Sequence, residues 1–106
     1  MLEIFKQLAE KYNLSIEQSV NLDVRNNKTV RGLTAIYKLY NFEYTVFNYY
    51  SDSIRIFDRK YKNMRIFDKS NPNCYIVLDE IIDYSIRTLK RYYTNERIVE
   101  QIDRKI

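Results

Sequence analysis

Arg55 to Lys69, which reads RIFDRKYKNMRIFDK, holds the densest set of chemically active side chains in this sequence. Six bases (Arg55, Arg59, Lys60, Lys62, Arg65 and Lys69) stand there against two acids, Asp58 and Asp68. The segment's net charge of +4 equals that of the whole chain, because the rest carries 12 bases and 12 acids and cancels. Ile56, Phe57, Tyr61, Ile66 and Phe67 interleave with the cations. Such a stretch can neutralise phosphates or carboxylates with its charges and stack or anchor with its rings.

Catalytic chemistry finds little to work with. The chain has no His, which removes the usual general base and the commonest metal ligand. Its one glycine, Gly32, rules out a glycine-rich phosphate loop. Cys74 stands alone in an apolar stretch and reads as a core thiol rather than a nucleophile. Asp58-Arg59-Lys60 has the Asp-x-Lys spacing of some metal-dependent nucleases, and Asp52 would be the second acid, but this spacing is expected by chance in a chain with 30% charged residues. Asp79, Glu80 and Asp83 are explained by the positive end of a helix. The expectation is a binding protein and not an enzyme, with no cofactor and no metal.

A length of 106 residues suits a single domain, 1–106, and 45% apolar residues suffice for one core. One Gly and one Pro (Pro72) imply short connections and no flexible linker. A single cysteine permits no internal disulfide, which fits a reducing compartment. No apolar run approaches the ~20 residues that cross a bilayer. Met1 to Leu14 carries Glu3, Lys6, Glu10 and Lys11 and does not read as a signal peptide. The expected location is cytoplasmic, without a membrane. The wealth of Asn, Lys, Ile and Tyr also fits an AT-rich coding sequence, as in low-GC bacteria, their phages and plasmids.

The elements that must position the basic segment follow from periodicity. Leu2, Phe5, Leu8, Ala9 and Tyr12 recur at helical spacing and predict a helix ending at Asn13. Val20, Leu22 and Val24 alternate with polar residues, so a strand is expected from about Ser19 to Arg25, with Asn26-Asn27 as a turn. Ser15 and Gln18 also fit a capping box. Strands are then expected over Thr29–Tyr40, Phe42–Tyr50, Ile54–Phe57 and Met64–Phe67. The first of these fits a helix as well, through Val30, Leu33, Ile36, Tyr37 and Tyr40. Cys74 to Leu78 reads as a short apolar strand and Asp79 as the N-cap of a helix burying Ile81, Ile82, Ser85, Ile86, Leu89 and Tyr93. Thr94-Asn95 should break that helix. A last one, Asn95 to about Arg104, would face Ile98, Val99 and Ile102 inward. The fold class is α+β: an antiparallel meander of about four to six strands packed by one N-terminal and two C-terminal helices.

The Arg-Ile-Phe-Asp repeat at 55–58 and 65–68 suggests two matching strands of one hairpin. If Ile54, Ile56, Met64 and Ile66 face the core, then Arg55, Phe57, Arg65 and Phe67 face outward together. The plain alternative is a solvated edge hairpin whose Lys and Arg guard against aggregation. Among the 11 tyrosines, Tyr37, Tyr40, Tyr44, Tyr49 and Tyr50 lie on adjacent strands, and Tyr49-Tyr50 puts one ring on each face.

Gln7 to Ser15 resembles the first helix and turn of a helix-turn-helix DNA-binding unit, with Ala9 as the small packing residue and Asn13-Leu14-Ser15 as the turn. It departs afterwards: Ser19 falls where an apolar residue is expected, and Ser15 to Asp23 holds acids and no base. The expected site comprises Arg55, Phe57, Arg59, Lys60, Tyr61, Lys62, Arg65, Phe67, Lys69 and Tyr49. The expected partner is nucleic acid or a nucleoprotein or protein complex. Size and composition resemble the small inhibitors that phages and mobile elements aim at host defence complexes, anti-CRISPR proteins among them, a likeness of class that no motif carries. The competing expectations are a homo-oligomeric interaction module, a homodimer being its simplest form, and a helix-turn-helix regulator.

Overall fold

The computed structural model describes residues 1–23 and 26–104, with side chains described up to Tyr92 except that of Asp23. The order is α1 (Leu2–Lys11), β1 (Ser15–Asp23), β2 (Lys28–Leu39), β3 (Phe42–Tyr50), β4 (Ser53–Asp58), β5 (Asn63–Phe67) and α2 (Cys74–Arg104). The strands form one antiparallel sheet in the order β1-β2-β3-β4-β5. The chain is thus α+β, with one helix before the meander and one after it in sequence. Among the described residues no helix is long and apolar enough to cross a membrane.

With one glycine available, the turns place other residues in the left-handed region. Asn13 ends α1 at φ 55°, and Asn27, Tyr40, Lys62 and Asn73 serve the later turns. Ser51 and Asp52 both have positive φ, which gives the two-residue turn whose twist matches the strands it joins. Gly32 is needed for a different reason. A Cβ there would lie 2.3 Å from the Tyr49 carbonyl oxygen and 2.8 Å from the Tyr50 Cβ.

Both helices cover the same face of the sheet. Phe5, Leu8 and Ala9 of α1 and Cys74, Leu78, Ile81, Ile82 and Ile86 of α2 pack on Ala35, Val46, Phe47, Ile54, Ile56 and Phe67. Phe5 meets Phe47 edge to face at 4.9 Å. Ala35 pairs with Phe47 and Ile36 with Thr45, so Val46 is the extra residue of a bulge and turns inward beside Phe47. Lys11 and Tyr12 tie the helices together. The Lys11 ammonium lies 2.8 Å from the Asp79 carboxylate, and the Tyr12 hydroxyl also donates to that carboxylate. Burial pushes Asp79 up, but hydrogen bonds from Lys11 and Tyr12 and the Lys11 charge hold it below its ordinary value.

Two open readings resolve as strand, and two expectations need correction. Ser15 to Gln18 opens no helix: β1 begins at Ser15, and a strand stands where a helix-turn-helix would need its second helix. The Val30–Tyr40 ambiguity resolves as β2. Cys74 to Leu78 is not a strand but the opening of α2, so Asp79 lies inside the helix and does not cap it. Cys74, Leu78, Ile82 and Ile86 make one stripe at steps of four, and Ile76 is left 59% exposed, as a helix and not a buried strand requires. The Cys74 thiol donates to the carbonyl oxygens of Asp68 and Asn71 and closes the preceding loop. Finally, Thr94-Asn95 does not interrupt the backbone: one C-terminal helix replaces the expected two. The expected facing of Tyr93, Ile98, Val99 and Ile102 and the expected strand end at Val24-Arg25 lie outside the described residues.

Candidate functional site

The β4–β5 hairpin is organised by Asp58. This residue is 3% exposed, and its Oδ1 accepts the backbone amides of Lys60 and Tyr61 at 3.1 and 3.3 Å. Its other oxygen lies 3.6 Å from an Arg65 guanidinium nitrogen. The carboxylate is therefore used inside the turn. The turn it fixes presents Arg59, Lys60, Tyr61 and Lys62 to solvent, with Tyr61 70% exposed. The Lys60 ammonium stands 5.6 Å from the centre of the Tyr61 ring.

The expected outward quartet does not form. The register pairs Arg55 with Ile66, Ile56 with Arg65, Phe57 with Met64 and Ile54 with Phe67. Residues opposite each other share a face. Arg55 and Phe57 therefore lie on the face away from the helices, together with Met64 and Ile66. Arg65 and Phe67 lie on the helix face: Phe67 is buried in the core, and the Arg65 guanidinium stacks over its ring at 4.8 Å. Met64 and Ile66, expected inside, are 62% and 53% exposed.

Two further residues fall elsewhere. Lys69 is exposed beyond the far end of β5, about 17 Å of strand from Lys62. Asp68 beside it is held below the usual carboxylate range by hydrogen bonds from the Ser70 hydroxyl and amide. Tyr49 is on the helix face against Phe5, with ring centres 5.9 Å apart, where burial chiefly raises its pKa. It lines a groove of about 660 Å³ with Leu2, Gln18, Val20, Arg31 and Leu33, away from the basic turn.

α2 supplies what the sequence did not indicate. Arg59 lines a pocket of about 230 Å³ with Tyr44 of β3 and with Thr88, Leu89 and Tyr92 of α2. Lys90 and Arg91, both exposed, belong to the same helical turn. Arg59 thus meets the rings of Tyr44 and Tyr92 at one pocket, where the exposed Lys60-Tyr61-Lys62 turn follows it directly in the chain. The one-dimensional hint was the i, i+4 pair Thr88 and Tyr92 beside two bases. Its meaning depends on where α2 crosses the sheet.

No protein-family model matches this chain, and no curated protein or solved structure is significantly similar to it.

Proposed function

We propose that the protein acts by binding, and that the end bearing the β4–β5 turn docks on nucleic acid or on the nucleic-acid surface of a nucleoprotein complex. The observation that carries this is the pocket where Arg59 meets Tyr44 and Tyr92 beside the exposed Lys60-Tyr61-Lys62 turn. Cations near rings suit a phosphate backbone and the bases hung from it. A small inhibitor of such a complex, of the kind phages and mobile elements direct at host defence, is the biological role that size and composition favour.

The test is titration of labelled single- and double-stranded DNA and RNA at roughly 50 and 200 mM salt. Wild type is compared with the triple variant Arg59→Gln/Lys60→Gln/Lys62→Gln. The wild-type affinity should fall steeply with salt. The variant should lose affinity for all sequences alike, and its salt slope should shrink by about 2 to 3, one phosphate contact per cation removed. A variant that binds as wild type does would sink the proposal.

A second reading, self-association, has its own observation in β1. Nine residues at the sheet edge contain no Lys, Arg, Pro or Gly, and Val20 and Leu22 are 71% and 57% exposed.

A further inference from the structure

The open face of β4 and β5 carries a second, chemically different surface. Arg55 and Phe57 point there from β4, and their opposite numbers Ile66 and Met64 from β5. Phe57, Met64 and Ile66 are 44%, 62% and 53% exposed. Arg55 is partly buried, with its guanidinium carbon 3.9 Å from the centre of the Tyr50 ring. Stacking on a buried tyrosine holds the guanidinium in place before any partner arrives.

One nitrogen of Arg55 also lacks an acceptor among the described residues: the Nε is buried and has no hydrogen-bond partner. Its cross-strand neighbour on β3 is Asn48, whose side-chain oxygen already accepts from the Thr34 hydroxyl at 2.7 Å. Its neighbours on the same face of β4 and β5 are Ser53, Phe57 and Ile66, none of them an acid. A partly desolvated, pre-oriented guanidinium with no acid beside it on the neighbouring strands pairs strongly with an oxyanion brought from outside.

The surroundings choose the class of partner. Arg, Phe, Met and Ile without Lys is the composition of a protein interface core. A nucleic-acid backbone would leave Met64 and Ile66 against phosphate and sugar, and Phe57 is the one exposed ring among these four residues. We infer that this face docks a protein segment in which an Asp or Glu carboxylate pairs with Arg55 while flanking apolar side chains cover Phe57, Met64 and Ile66. The surface adjoins the basic turn at Phe57 and Met64 but shares no residue with it.

The test selects a phage-displayed random dodecapeptide library on the immobilised protein. Enriched peptides should carry an acid flanked by large apolar residues. A synthetic winner should bind at least about tenfold more weakly to Arg55→Gln and, separately, to Met64→Asp, and its own Glu→Gln or Asp→Asn form should lose a similar factor. The Arg59→Gln/Lys60→Gln/Lys62→Gln variant should bind it as wild type does, so failure of one surface leaves the other testable. Met64 is mostly solvent-exposed, so Met64→Asp tests the face even if Arg55→Gln disturbs Tyr50. No enrichment, winners without an acid, or winners indifferent to both substitutions would overturn the inference. So would self-association that Met64→Asp abolishes, since a second copy would then own the face.

Discussion

Tyr12 joins the two helices through one hydroxyl. Its proton goes to Asp79, and burial together with that hydrogen bond raises the Tyr12 pKa well above that of a free phenol. A raised phenol stabilises the fold fully below about pH 10, its unfolded value, and loses that contribution as pH climbs further. Asp79 is lowered, so its contribution is present above about pH 4 and fades as pH falls through its folded value. Tyr12→Phe should therefore cost roughly 1.5 to 3 kcal/mol at neutral pH, the worth of a hydrogen bond to a charged group. Denaturant midpoints at pH 7 and pH 11 should differ less in the variant than in wild type. A difference remains, because burial also raises Tyr37 and Tyr49. Equal pH sensitivity in both proteins would contradict this account. The sequence offers Asp79 as an N-cap because acids gather at helix starts. Nothing in one dimension joins residue 79 to residue 12.

Strand positions from β2 to β5 are legible in the sequence to within about a residue, because β-branched and aromatic runs alternate between turn residues. Which way each strand faces is less legible. The repeated Arg-Ile-Phe-Asp invites the thought that like residues share a face, but the turn pairs odd residues of β4 with even residues of β5. Arg55 and Arg65 are thereby sent to opposite sides. The length of the turn decides this, and Asp58 sets the turn. Asp58→Ala should destabilise the protein by about 1 to 3 kcal/mol, by stranding two turn amides and the Arg65 charge. Asp58→Asn, which keeps an acceptor for the amides, should cost less. Urea midpoints for the two variants give the order, and an Asn variant as unstable as Ala would assign the effect to the ion pair alone. At the other end of the chain, the apolar run Cys74 to Leu78 reads equally well as strand or helix when taken by itself. Only the stripe that continues through Ile82 and Ile86 decides it.

Across the whole molecule, the two sheet edges differ in character. β5 is short and flanked by the basic turn and Lys69, which keeps other strands away. β1 has no such guard, and Ile16, Val20 and Leu22 stay partly or mostly exposed on the helix face beyond the cover of α1. Wild-type protein should associate as its concentration rises in sedimentation equilibrium, and Val20→Lys should shift the onset upward with little change in stability. Monomeric wild type at every concentration would dismiss the edge as a contact. The choice of method matters because of the shape that α2 gives the molecule. A helix of 31 residues is about 46 Å long, and the principal extents are 55 × 29 × 24 Å. The radius of gyration is 15.9 Å, where a compact chain of this length would have about 13 Å. An elongated particle diffuses slowly and leaves a gel-filtration column early. A 13.0 kDa monomer would therefore pass there for something heavier, and elution volume alone would report a dimer that does not exist.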